Sequence, residues 1–212
     1  KLAEDEDSEA EIGKLNLAYE KGKKKAKQLV QEVSQLCLKG FTQTLARIDV
    51  SYDSFDWESS HVWDGQVADA LDKLRKTLYV FEENGVLEFD AGKVVEDLGL
   101  RAKLRLGREQ EVPALTLVRA DGTTLYTTRD VAYTWWKFAK ADRFINVIGM
   151  DQNLAQLQLK IALHALGYGK YADNLVHFAY NLVTFPGFKM SSRRGRYITL
   201  DNVLDEAVKR AY

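Results

Sequence analysis

The chain has 212 residues, 46% of them hydrophobic and 29% charged, with a formal net charge of -1. That is enough chain for one real hydrophobic core, and it excludes a disordered tail. The balanced charge excludes a global attraction to nucleic acid or membrane, so any polyanion must be held by a local cluster.

A single cysteine, Cys37, excludes an internal disulfide and a cysteine-rich zinc site. Its neighbours Val33, Leu36 and Phe41 suggest a buried helical thiol. No apolar run reaches membrane-span length and no signal peptide is visible, so a cytoplasmic protein with no membrane partner is expected. The first residue is Lys1 rather than Met, which suggests a piece of a longer protein.

In chain order, an acidic opening and the basic run at 21–27 suggest exposed or frayed structure. Leu29, Val33, Leu36, Cys37, Phe41 and Leu45 recur at helical spacing, predicting an amphipathic helix from about Ala26 to about Arg47. The alternation Ile48, Val50, Tyr52 then predicts a short strand. A second helix is expected to carry Val67, Ala70, Leu71, Leu74, Leu78 and Phe81 on one stripe. "GVLEFDAGKVV" reads as two short strands about a turn at Asp90, Ala91 and Gly92.

"PALTLVRADGTTLYTT" reads as a hairpin turning at Asp121-Gly122, followed by a helix opened by Arg129-Asp130. A strand "RFINVIG", a helix from Asp151 to about Leu166 ended by Gly167, and a strand "NLVHFAY" follow. The sum is β-α-β-α-β with parallel strands and right-handed crossovers, half of a doubly wound sheet in the α/β class. A last helix starts near Asp201, capped by Thr199 or Asp201.

Ligands of open parallel sheets bind at the carboxyl ends of the strands, and three polar segments are expected there. In "LYTTRD", Tyr126 on the strand and Asp130 on the first helical turn both project over one rim. Asp130, kept ionised by the helix dipole, has the geometry to pair with a guanidinium. It reads equally well as a plain helix cap. In "GMDQN", Gly149 allows close approach of a ligand, Asp151 can accept from a ribose hydroxyl and Gln152 can hold a polar substrate group. Ordinary turn chemistry explains the same residues.

In "TFPGFKMSSRRGRYITLD", Lys189 is a mobile charge suited to a triphosphate, and Ser191 and Ser192 can donate to phosphate oxygens. A solvated loop is the competing reading.

"KMSSRRGRYITLDNVLDEA" resembles the KMSKS signature of class I aminoacyl-tRNA synthetases, and "GMDQ" is similar to their Gly-x-Asp-Gln element. "LYTTRDVAY", "INVIGMDQN" and "FDWES" resemble arginyl-tRNA synthetases in particular. The resemblance runs from about residue 30 onward. It implies that Tyr126 and Asp130 hold the substrate guanidinium and that Gln152 positions arginine. Gly149 and Asp151 would bind ATP, with Lys189 and Met190 beside it. Lys189, Ser191, Ser192 and Arg193 would form the catalytic loop over the phosphates.

The implied substrates and partners are arginine, ATP with Mg²⁺ carried on its phosphates rather than by a protein metal site, and tRNA(Arg). The implied division is a helical, connective-peptide-like insertion over 1–115 and the second half of a Rossmann-like catalytic domain over 116–212.

Two departures stand out. The signature's second lysine falls at Ser192, with Arg193 and Arg194 following. The His-x-Gly-His element is absent, since the only histidines are His61, His164 and His177. The expectation is therefore a fragment that lacks its upstream catalytic half and its anticodon-binding domain, and is inactive alone. Two alternatives remain open at this point: another nucleotidyl-transfer enzyme on the same scaffold, or a non-catalytic RNA-binding module. Arg101, Lys103, Arg105 and Arg108 read either as RNA contacts or as a solvated strand face.

Overall fold

The computed structural model describes residues 6–181, Gly187, Met190 and 195–212. The chain divides into two compact units, Trp57–Leu182 and Lys1–Asp56 with Val183–Tyr212.

In the second of these units, helix α1 (Glu6–Glu20) packs on α2 (Lys24–Ala46). The expected helix is thus present, whereas the strand at Ile48–Tyr52 is not: residues 47–49 form turns, with Asp49 left-handed at φ 55°. Cys37 is exposed rather than buried, because the apolar stripe of α2 lies largely open to solvent, with Leu36 72% and Val33 53% exposed. Further along the unit, α9 (Leu200–Ala211) begins at a capping box. The Asn202 amide donates to Thr199 Oγ1 at 3.1 Å and the Thr199 amide to Asn202 Oδ1 at 3.2 Å, so Thr199 is the cap. Asp201 is occupied elsewhere, accepting from Thr44 Oγ1 at 2.7 Å and pairing with Arg47 of the α2 C-terminus, contacts that hold its carboxyl below the usual range.

The unit Trp57–Leu182 contains the core. Helices α3 (Glu58–Trp63) and α4 (Gln66–Arg75) lead into the hairpin β1 (Val80–Glu83) and β2 (Val86–Phe89). The second helix therefore ends earlier than its stripe suggested, and Phe81 is a strand residue. The turn is Asn84-Gly85, with φ 51° and 75°, the two left-handed residues that a two-residue hairpin loop requires. Asp90 does not turn a hairpin: its carboxylate accepts from the Lys93 amide at 2.9 Å and caps α5 (Ala91–Asp97).

Strand β3 (Leu115–Val118) joins β2 antiparallel, giving a three-stranded sheet in the order β1-β2-β3. The expected second strand of the 115–126 hairpin shrinks to one bridge, Val118 to Thr124, because helix α6 (Tyr126–Phe138) has already begun.

Among the described residues only β4 (Phe144–Gly149) and β5 (Leu175–Tyr180) pair in parallel, from Phe144 opposite Leu175 to Gly149 opposite Tyr180. The crossover between them is α7 (Asn153–Ala165) and α8 (Gly169–Asn174). The α/β class holds, but β3 is not a third parallel strand; its partner is β2. Helix α7 closes as expected, with the Gly167 amide on His164 O at 3.0 Å, the Tyr168 amide on Leu163 O at 2.8 Å, and Gly167 at φ 82°.

Buried Leu74, Phe89, Leu117, Val131, Leu159, Leu163 and Leu175 join α4, both sheets, α6 and α7 in one cluster. Trp135 packs on it, while Trp136 stacks on Tyr133 at 5.5 Å between ring centroids. His164, with its side chain only 8% exposed, is a packed helix residue. The opposite face of the parallel pair is bare: Ile145, Val147, Phe178 and Tyr180 are each more than half exposed.

Candidate functional site

On α6, Tyr126, Asp130, Tyr133 and Lys137 follow one another at steps of four, three and four, which places them on one helix face. Tyr126 is the first helical residue, not the end of a strand, and is 50% exposed. Thr128 anchors this first turn by donating from Oγ1 to Leu117 O of β3 at 2.9 Å.

Asp130 is not the helix cap, since Leu125 occupies that position. Lying a turn inside the helix, it gains little from the dipole. It is half-buried, and no hydrogen bond or ion pair reaches its carboxylate among the described residues. Burial pushes its carboxyl from the ordinary 3.8 up to about 6; Lys137 opposes the shift and Glu58 adds to it.

The cations around Asp130 are engaged elsewhere. The neighbouring Arg129 donates from Nε to Thr124 Oγ1 at 3.0 Å, from Nη2 to Thr124 O at 3.1 Å and from Nη1 to Glu58 Oε1 at 3.0 Å. Lys137 lies 4.2 Å over the Tyr133 ring and donates to Asn146 Oδ1 at 3.1 Å. Asn146 in turn donates to Oε1 of buried Gln156 at 2.9 Å. These interactions leave an acidic group beside an exposed tyrosine, poised for a cation brought by a ligand.

Glu58 is a residue whose place sequence reasoning missed. It sits on α3, whose buried His61 packs 5.2 Å from the Tyr133 ring and 5.6 Å from that of Trp136. The segment "FDWES" was the available signal, but nothing local states that it folds onto α6.

The second group sits at the carboxyl end of β4. Gly149 closes the strand, Met150–Gln152 form a single 3₁₀ turn and α7 follows. A Cβ on Gly149 would stand 2.6 Å from Asp151 Oδ1 and 3.9 Å from the Tyr180 ring, so a side chain there would make the exposed Asp151 carboxylate shift; at φ -56° the backbone suits any residue. Asp151 is exposed, and its Oδ2 accepts from Nε2 of half-buried Gln152 at 3.2 Å. The two groups share a polar connection: Lys137 of the α6 face reaches Asn146, three residues before Gly149, and through it Gln156, four residues after Gln152.

The third group, Lys189, Ser191, Ser192 and Arg193, lies outside the described residues; Met190 is exposed. Among the described residues no group of three or more His, Cys, Asp or Glu side chains is arranged to hold a metal. No helix among them is long and apolar enough to cross a membrane.

The family model described as "tRNA synthetases class I (R), catalytic domain" matches residues 1–212. An arginine–tRNA ligase of Ignicoccus hospitalis is 46% identical over 209 residues, covering 98% of this chain and 33% of that protein. One of Aeropyrum pernix is 41% identical over 213 residues, covering 97% and 33%. Among solved structures, the arginyl-tRNA synthetase of Thermus thermophilus superposes with a TM-score of 0.71 at 28% identity, over 99% of this chain and 38% of that one. The chain thus spans about one third of the curated relatives it matches. A family match over residues 1–212 and relatives of one kind show that this chain belongs to the class I (R) tRNA synthetase catalytic-domain family.

Proposed function

We propose that the chain supplies the second half of the catalytic domain of an arginine–tRNA ligase. One observation carries the reading: Asp130 is a half-buried carboxyl with no hydrogen-bond or ion-pair partner among the described residues, raised to about 6, on the same helix face as exposed Tyr126. A substrate guanidinium placed there restores the charge balance that burial removed and takes paired hydrogen bonds that lysine cannot make. Tyr126 supplies a ring face or hydroxyl, and Glu58 a second negative charge nearby.

In the intact protein, an oxygen of the arginine carboxylate attacks the α-phosphorus of ATP. The bond to the β-phosphate bridge breaks, releasing pyrophosphate and leaving arginyl adenylate. A terminal ribose hydroxyl of tRNA(Arg) then attacks the arginyl carbonyl and AMP departs. Positioning and charge stabilisation do the work, without a covalent nucleophile. Gln152 orients arginine, Gly149 and Asp151 form the ribose shelf, and Lys189, Met190, Ser191, Ser192 and Arg193 approach the ATP phosphates. Mg²⁺ accompanies ATP on its phosphates, and no step is assigned to it. Residues 116–212 carry the catalytic roles and 1–115 the insertion. The bare face of Ile145, Val147, Phe178 and Tyr180 suits the packing of further catalytic domain, since parallel sheets are covered on both faces. The 212 residues alone do not aminoacylate.

The test is arginine binding by calorimetry, then arginine-dependent ATP–pyrophosphate exchange after adding back the upstream segment of a relative, with and without tRNA. Asp130→Asn is expected to weaken arginine binding about 100-fold, or ~3 kcal/mol. Unchanged arginine selectivity would assign the site to another nucleotidyl transfer. tRNA binding with no exchange in any combination would leave a non-catalytic RNA module.

A further inference from the structure

A cleft of about 490 Å³ lies between the turns at 101–105, helix α7 and strand β5, and neither Asp130 nor Gly149 lines it. Lys103, Arg105 and Lys160 line it against one carboxylate, Asp173, with Asn153 and His177 completing the polar wall. Lys103 Nζ engages Asp173 Oδ2 at 2.8 Å. His177 Nε2 lies 3.3 Å from Ile148 O. With Asp173 engaged by Lys103, no hydrogen bond or ion pair joins the side chain of Arg105 or Lys160 to another described residue. Lys160 is half-buried there, and burial holds its amine below the ordinary lysine range.

The backbone at Arg105 is the second, independent observation. The Arg105 amide donates to Ala102 O at 3.2 Å and the Leu106 amide to Arg101 O at 2.9 Å, with Arg105 at φ 58°. This is the same termination that closes α5 at Gly99 (φ 61°) and α7 at Gly167 (φ 82°), and both of those use glycine. Among the described residues the other non-glycine residues at positive φ are Asp49 and Asn84, types that tolerate it. Arginine does not belong to that set, so a conformational cost is borne where glycine would remove it, and what the arginine adds is an exposed cation at the cleft mouth.

We propose that this cleft is a phosphate site that grips the sugar–phosphate backbone of an RNA. It rests on the tRNA reading above and names a surface for that partner. RNA is favoured over a free phosphate because exposed cations continue along the chain beyond the cleft lining: Arg108, exposed and with no side-chain partner among the described residues, follows Arg105 by three positions. The segment is a set of turns, not the solvated strand face its alternation suggested.

The test uses the 212-residue chain and an arginine-accepting tRNA transcript, titrated at several salt concentrations. Arg105→Gly and Lys160→Gln are each expected to weaken binding about 5- to 10-fold and to reduce the log–log salt slope by about one. Arg105→Gly is also expected to raise the melting temperature, which separates lost contact from lost fold. Asp173→Asn, removing the competing carboxylate, is expected to tighten binding, and Lys76→Gln, away from the cleft, to leave it unchanged. Wild-type affinity in both cleft variants, or no tRNA binding by the parent chain, overturns the proposal. Inorganic phosphate that perturbs Lys160 in the absence of any effect of the variants on tRNA reassigns the cleft to a free anion and likewise overturns it. Arginine binding is read separately, so its loss with tRNA binding intact counts against the arginine site alone.

Discussion

Arg129 donates from Nη1 to Oε1 of Glu58 at 3.0 Å, while the carboxylate next to it in sequence, Asp130, pairs with no described residue. The ion pair spans 71 positions and gives a resident guanidinium a carboxylate other than Asp130. Glu58→Gln removes the pair and one of the groups that raise the Asp130 carboxyl. The Asp130 carboxyl, followed by carbon-detected NMR, is expected to titrate lower than in the parent. Because Glu58 is 43% exposed, the stability change is expected to stay within ~1 kcal/mol.

Asp130 also couples stability to pH. Its folded carboxyl titrates at about 6 against an ordinary 3.8, so the folded state holds this proton more tightly than the unfolded chain. The contribution is full below the unfolded value and is lost as pH rises through about 6, beyond which it is flat. Asp130→Asn removes this dependence. Urea denaturation should find the variant more stable than the parent by ~1–2 kcal/mol at pH 8 and nearly equal to it at pH 4. A difference that shrinks as pH rises would contradict the desolvated carboxyl.

Arginine binding at Asp130, as proposed, is expected to release protons. At pH 5.5 part of the Asp130 population is protonated and must ionise to accept a guanidinium. Calorimetry in buffers of different ionisation enthalpy should report a fraction of a proton released at pH 5.5 and almost none at pH 8.

Gly149→Ala places a methyl group 2.6 Å from Asp151 Oδ1 and displaces that carboxylate from its contact with Gln152. The backbone at φ -56° accepts alanine, so folding should change little. ATP binding, measured with the upstream segment restored, should weaken about 10-fold, ~1.4 kcal/mol.

Thr128→Val tests how α6 is seated. The hydroxyl is fully buried and donates to Leu117 O at 2.9 Å. Its loss should cost ~1 kcal/mol in chemical denaturation and loosen the turn that carries Tyr126 and Asp130.

Much of this was legible in the chain itself. Gly167 past an apolar helix, Thr199 three before Asn202, and two apolar runs around a helical crossover are local signals with local causes. Asn84-Gly85 was as plain a turn signal as any, and reading the turn at Asp90 instead shifted one hairpin by six residues. Tyr126 was misplaced for a different reason. The residues after Asp121-Gly122 alternate like a strand, but the Thr127 and Thr128 side chains are buried, and Thr128 bonds back to β3, which favours starting the helix there.

The sequence by itself determined the end of α7, the cap of α9 and the parallel β4–β5 pair, because caps, turns and periodicity depend on neighbours a few positions away. Tertiary structure alone decided that β3 pairs with β2, that Glu58 meets Arg129 and that Asp130 holds its proton to about 6. Those outcomes depend on desolvation and on charges brought together from distant parts of the chain, and neither quantity is written in local spacing.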